Sequence, residues 1–432
     1  MDYQMSRAYI EDAGKYGSVL GLGNMYEMMK RLGNPQDKLK YVHVAGTNGK
    51  GSLIAYLYST LSEAGYRVGR YISPAIYSYR ERMETAGKPV TREKFAEYVT
   101  RVSEVIEDMT NAGLPHPTPF EIETAVAFLF FEDEKCDLVL LEVGMGGNLD
   151  ATNIITTTVL SVLVSISKDH EDFLGKTVAE IAQKKAGIIK PGARVVSTKQ
   201  LPDVENVIRE VCEKNHTSCV FSEFDTAEIL KEEIWGQNYR YQGEEYEISL
   251  AGVPQIENSV LAIHALRILD ECGYSTTLEQ KKQGLKNAHW GGRFTAIGKE
   301  PLFIVDGAHN PAAAERLAES IEHYLKGKRI FYIMGVFRDK EYDIVIDKTC
   351  AYAEKIFTIE TPNNPRALPA EELAAEIRKR QKEVQAMGSL QEAVEEVYRI
   401  AEKDNVIVAF GSLSYLGELT AIVKNYGEKR ND

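Results

Sequence analysis

Residues Gly46 to Ser52 read GTNGKGS, a short run that combines glycines, a lysine and two hydroxyls. That combination suits phosphate: glycines let the backbone turn tightly and approach a ligand, and a lysine reaches the β and γ phosphates. Lys50 is that lysine, Thr47 or Ser52 offers an oxygen to a phosphate or its metal, and Asn48, Gly49 and Gly51 complete the loop. The spacing departs from the strict G-x-x-x-x-G-K-[ST] form, because Gly51 stands between Lys50 and Ser52. A nucleoside triphosphate is the expected ligand.

Three more residues fall where strands should end. Glu142 closes CDLVLLE ahead of a glycine pair, Ser73 follows RVGRYI and precedes Pro74, and His170 follows the apolar run TTTVLSVLVSI. Open α/β sheets bind ligands beyond the carboxyl ends of their strands, so these positions border the phosphate loop. Magnesium takes oxygen ligands and keeps waters and substrate phosphates, which suits Ser73 and Glu142, with His170 a less usual ligand. Each also has an ordinary reading: Glu142 as a turn cap, Ser73 as a residue before proline, His170 as a surface histidine.

The elements that position them follow from the apolar pattern. YVHVA (41–45) precedes the loop and LIAYLYSTLSEAG follows it, giving strand, turn and helix in the order that aims backbone N–H groups and a positive helix end at one point. Short apolar runs alternate with amphipathic stretches thereafter, the pattern of βα units around a parallel sheet. Helices are predicted over 92–110 and 119–132, the second opened by Thr118 and Pro119. From about 296 the pattern restarts with PLFIVDGAHN, RIFYIMG, KIFTIE and VIVAFGS separated by helical stretches. The expected fold is α/β: a P-loop-containing, parallel-sheet N-terminal ATPase domain over 1–295 and a smaller Rossmann-like domain over 296–432, with 289–300 as linker and hinge.

A chain of 432 residues exceeds the roughly 250–300 at which a single core stops growing, which agrees with two domains. With 44% hydrophobic and 27% charged residues the composition is that of a folded protein. A net charge of −13 disfavours nonspecific binding to nucleic acid, which needs clustered cations. The start of the chain carries acidic residues and no apolar core of a secretory signal, and no run of about 18 apolar residues occurs, so a cytoplasmic protein without membrane association is expected. Cys136, Cys212, Cys219, Cys272 and Cys350 show neither C-x-x-C nor nearby histidine spacing, and are expected to be buried thiols.

VAGTNGKGS (44–52), TPFEIETAVAF (118–128), LEVGMGGNLDATN (141–153), SKDHEDFLGKTVAEIAQKKAGIIK (167–190), GGRF (291–294), DGAHNP (306–311) and MGVFRDKEYD (334–343) together resemble the folylpolyglutamate synthase and dihydrofolate synthase family of the Mur ligase superfamily. The resemblance implies ATP-dependent, magnesium-requiring joining of L-glutamate to dihydropteroate or a reduced folate, by a protein expected to act as a monomer. It carries the family's magnesium ligands onto Ser73, Glu142 and His170, and its often carbamoylated lysine onto Lys185. It implies nucleotide contacts at Arg293 and Asp306, with His309 nearby as a candidate proton acceptor, and pterin-side contacts at Phe120, Asp150 and Ala151. Two positions depart from the pattern, Ala75 where the family usually has histidine and Asn148 where it usually has arginine. Two rivals stand beside this reading. A cell-wall Mur ligase needs a separate UDP-binding domain, for which the stretch 1–45 is too short, and a nucleotide switch has no use for the second domain's DGAHNP motif.

Overall fold

The computed structural model describes residues 1–17, 21–169 and 171–431 and divides into two compact units. The first comprises Met1–Ala75, Tyr79–Ala227 and Glu257–Ala288. Its sheet holds β1 (Tyr41–Ala45), β2 (Val68–Tyr71), β3 (Met83–Thr85), β4 (Lys88–Pro89), β5 (Leu138–Glu142), β6 (Thr158–Leu163), β7 (Arg194–Ser197) and β8 (Cys219–Phe221) in the order β4-β3-β2-β5-β1-β6-β7-β8. Strands β2 through β8 are parallel except for the antiparallel β3–β4 extension at one edge. Every residue of β1 and β5 is buried, which is why both read as continuous apolar runs rather than as alternating ones.

Register brings the chemistry to one edge. Val44 lies opposite Glu142 and Tyr71 opposite Leu141, so the phosphate loop, Glu142 and Ser73 all begin where three adjacent parallel strands end. The helix Lys50–Glu63 leaves the loop and is buried on nearly all sides. Helix Pro119–Asp133 starts as its sequence predicts: Thr118 Oγ1 accepts from Glu121 N at 3.3 Å, and Glu121 Oε2 accepts from Thr118 N at 2.7 Å. The other predicted helix spans Arg92–Asn111.

The second unit comprises Ile76–Ser78, Glu228–Ile256 and His289–Asp432. Its first sheet is antiparallel, β9 (Glu228–Glu233), β10 (Gly236–Tyr241) and β11 (Glu244–Ile248) in the order β11-β10-β9. Its second contains β12 (Thr295–Lys299), β13 (Leu302–Val305), β14 (Ile330–Met334), β15 (Lys355–Thr358), β16 (Glu383–Ala386) and β17 (Val406–Phe410) in the order β12-β13-β17-β14-β15-β16. All but the edge strand β12 are parallel, with one apolar cluster on each face.

The packing therefore does not follow a single cut at 295/296. Gln237 on β10 donates to Leu250 O and Gly252 O and accepts from Tyr324 Oη at 3.0 Å, tying the small sheet to the helix Pro311–Tyr324. The stretch 289–300, expected as a linker, instead contains β12, paired with β13. Of the five cysteines, Cys136, Cys212 and Cys350 are buried while Cys219 and Cys272 are partly exposed, which corrects the expectation for those two. No described helix is long and apolar enough to cross a membrane.

Candidate active site

The phosphate loop needs glycine at two points. Gly46 has φ +149° and a Cβ there would lie 2.1 Å from Val164 Cγ2; Gly49 has φ +96°, and a Cβ would meet Asn258 Oδ1 at 2.7 Å. Gly49 is also the N-cap of the helix Lys50–Glu63, so the loop ends on a helix start whose N–H groups lack carbonyl partners within the helix. Thr47 is fixed by the segment that follows β6, accepting from Ser167 N and donating to Ser167 O, both at 3.0 Å. Asn48 O accepts from Ser165 Oγ, and Ser52 is buried in the first helical turn.

Four predicted residues meet here. Lys50 Nζ donates to Gly46 O at 3.2 Å and Thr47 O at 3.3 Å and lies 3.9 Å from Glu142 Oε1. Glu142, buried at the end of β5, accepts from Ser73 N at 3.0 Å through Oε2. Lys185 Nζ donates to Gly46 O at 2.9 Å. Lys185 stands in the last turn of the helix Val178–Ala186, where the helix dipole favours a cation. Burial outweighs that: it lowers the ammonium to about 7, aided by the charge of Lys50 and opposed by Asp169 and Asp150.

A small cavity bordered by Gly46, Thr47, Lys50, Lys185, the turn 143–146 and Asp169 marks the spot. Asp169 was not singled out from sequence; its signal was its place in SKDH, one residue before a candidate ligand. His170 itself lies outside the described residues. Among the described residues no three His, Cys, Asp or Glu side chains gather as a metal cluster.

Phe120, the second residue of the helix Pro119–Asp133, lies directly on the glycine turn after β5, since a Cβ on Gly144 would fall 2.5 Å from its Cζ. Asp150 accepts from Met145 N at 2.8 Å, Thr152 N at 3.0 Å and Thr152 Oγ1 at 2.5 Å. Burial pushes its carboxyl up, while those donors pull it down. Ala151 is buried beside it. Sequence reasoning missed the neighbouring network in which Tyr79 Oη and Arg82 Nη1 both donate to Glu123. Nothing local distinguishes Glu123 from a solvated helix residue; only folding buries it.

The departures have different settings. Asn148 N donates to Lys184 O at 3.0 Å and Asn148 O accepts from Asn153 Nδ2 at 3.2 Å, so this residue braces the Lys185 helix. Ala75 follows the cis Ser73–Pro74 bond and is half-buried.

In the second unit, Asp306 follows β13 and accepts from Phe294 N and Ala308 N, each at 2.7 Å. Burial raises its carboxyl, against the pull of Arg293 and these N–H groups. Arg293 Nη1 lies 1.9 Å from where a Cβ on Gly307 would be, so the guanidinium lies on that backbone. His309 Nδ1 is 2.7 Å from Gly307 O; a carbonyl only accepts, so Nδ1 carries the hydrogen and Nε2 is the basic nitrogen. Asn310 caps the helix Pro311–Tyr324. Arg293, Asp306 and His309 are thus gathered at one end of the parallel sheet.

Residues 44–266 match the Mur ligase middle domain and residues 292–413 the Mur ligase glutamate ligase domain. The chain is 35% identical to the dihydrofolate synthase/folylpolyglutamate synthase of Bacillus subtilis (strain 168), across 98% of this chain and 99% of that one. Among solved structures it is similar to the folylpolyglutamate synthase of Mycobacterium tuberculosis complexed with ADP and AMPPCP (TM-score 0.86, 28% identity, 98% and 99% of the two chains). It is likewise similar to Escherichia coli FolC in complex with DHPP and ADP (TM-score 0.86, 26% identity, 100% and 99%).

Proposed function

The chain belongs to the dihydrofolate synthase/folylpolyglutamate synthase family of Mur ligases, and from that premise we propose that it joins L-glutamate to the carboxylate of dihydropteroate or a reduced folate through an acyl phosphate. It is an ATP-dependent ligase. The observation that carries the reading is the convergence of Lys50, Lys185, Glu142 and Ser73 on the carbonyl and turn of a single phosphate loop.

A carboxylate is a poor electrophile and its hydroxide a poor leaving group, so amide formation in water needs activation. Transfer of the γ-phosphoryl to the substrate carboxylate supplies it. Charge spreads over the phosphoryl oxygens during that transfer, and Lys50 with the N–H groups of the helix Lys50–Glu63 meets it with donors already in place. The amine of glutamate then displaces phosphate. It attacks only when neutral, and His309 Nε2 is the proposed acceptor of its proton.

Ser73 and Glu142 offer oxygen donors beside Lys50, a set that fits magnesium completed by phosphate and water. When bound, the ion would neutralise phosphate charge. Lys185 fits the family's carbamoylated lysine, because only a neutral amine adds CO2 and this one is held near 7. Phe120, Asp150 and Ala151 are proposed as the pterin side, and Arg293 and Asp306 as nucleotide contacts.

The test is phosphate release and product mass with ATP, magnesium and L-glutamate, offering dihydropteroate and tetrahydrofolate separately. A glutamylated product with one phosphate per ligation is expected; product from both substrates identifies a bifunctional enzyme, product from one names its step. ATP hydrolysis independent of glutamate, without a mass shift on either substrate, overturns the proposal.

A further inference from the structure

The central strand β1 carries a histidine, His43, and buries it completely. Its Nε2 lies 2.9 Å from Thr152 Oγ1, and that hydroxyl donates to Asp150 Oδ1 at 2.5 Å. A threonine has a single hydroxyl hydrogen, and a carboxylate only accepts. Thr152 Oγ1 therefore accepts from His43, whose hydrogen is on Nε2. The other ring nitrogen, Nδ1, is buried with no hydrogen-bond partner among the described residues.

That arrangement is costly at one end, since a buried polar atom without a partner loses its hydration for nothing. An apolar residue on β1 would avoid the cost, so the contribution of this ring lies at Nε2. Burial, with the charge of Lys190, lowers His43 to about 3. The imidazole is neutral at neutral pH, and its single N–H is a fixed donor.

From Thr152 the line continues outward. Asp150 accepts the backbone N–H of Met145, in the glycine turn on which Phe120 rests and which also borders the phosphate cavity. A hydrogen-bonded path thus runs from the middle of the sheet to the loop between the two substrate sides.

We propose that His43 is a positioning residue: through Thr152 Oγ1 it fixes the rotamer of Asp150, and through Asp150 the 144–145 turn, for the pterin-bearing substrate. This rests on the assignment of Asp150 to the pteroate side. Without the ring, the Thr152 hydroxyl is free to turn away from Asp150, and the carboxylate keeps the Met145 and Thr152 N–H donors but loses the shortest of these three hydrogen bonds.

The experiment compares KM for the accepted folate substrate, KM for ATP, kcat and melting temperature in His43→Ala, Thr152→Val, their double variant, His43→Gln and Asp150→Ala. Loss of one buried hydrogen bond predicts a rise of about tenfold in the folate KM for His43→Ala and for Thr152→Val. ATP KM and kcat should stay within about twofold, because the Lys50 contacts are untouched. The double variant should be no worse than either single one, since both remove the same link. His43→Gln, whose amide nitrogen reaches the place of Nε2, should recover most of the loss. A merely structural role predicts a lower melting temperature with an unchanged folate KM, multiplied effects in the double variant, and no rescue by glutamine; any of these overturns the proposal. If His43→Ala does not fold, Thr152→Val and His43→Gln carry the same comparison. An unchanged folate KM in Asp150→Ala overturns the pteroate assignment and the relay with it, whereas a raised value there beside an unchanged one in Thr152→Val overturns the relay alone.

Discussion

Lys185 Nζ and Gly46 O, 139 positions apart in sequence, lie 2.9 Å from each other, so a buried lysine shares one carbonyl of the phosphate loop with the loop's own Lys50. Two lysines on one loop favour phosphate, and the charge of Lys50 makes the buried Lys185 harder to protonate.

The first prediction follows from that pair. Lys185 is lowered from 10.5 to about 7, so between those values the unfolded chain binds more protons than the native one. Its contribution to stability is therefore least unfavourable above the unfolded value and worsens as pH falls towards 7, below which it is constant. Carbamate formation needs the neutral amine, so intact-protein mass should show an added CO2 that fades below about pH 7, in line with activity falling in CO2-depleted buffer and returning with bicarbonate. Activity indifferent to CO2, with no added mass, would count against the modification.

Lys50→Ala should lower kcat by at least about 100-fold, the scale of losing one preorganised charge donor. Its hydrogen bonds are to two carbonyls of its own loop rather than to the core of the sheet, so circular dichroism and urea midpoint should change little. Retained turnover would remove Lys50 from phosphoryl transfer.

Glu142→Gln keeps an acceptor for Ser73 N while removing the negative charge. The magnesium concentration for half-maximal rate should rise by more than the roughly tenfold that loss of a supporting group costs. An unshifted magnesium curve would exclude Glu142 as a ligand.

Arg293→Ala should raise KM for ATP by about tenfold, as expected for one charge-assisted contact, and leave the folate KM unchanged. The opposite split would move Arg293 to the other substrate.

Gly284→Ala tests packing behind the loop. A Cβ at Gly284 would fall 2.3 Å from Thr60 Cα, so the helix Leu278–Asn287 approaches the helix Lys50–Glu63 at that glycine. Overpacking of this kind costs about 1–3 kcal/mol, measurable as a lower urea midpoint. Wild-type stability would mean that the helices part without cost.

The sequence by itself determined whatever depends on neighbours along the chain. GTNGKGS between an apolar strand and a helix, Thr118 and Pro119 opening a helix, and DGAHNP beyond β13 were all legible, because loops, caps and strand ends are set by residues a few positions apart. The tertiary structure alone decided what depends on register and burial. The three strands β9 to β11 join the second unit through Gln237 and Tyr324, a contact across 87 positions that no local pattern announces. Glu123 becomes a buried partner of Tyr79 and Arg82, Lys185 loses much of its basicity, and His43 becomes a fixed donor, each because packing removes water from a group whose type in the sequence says nothing of its surroundings.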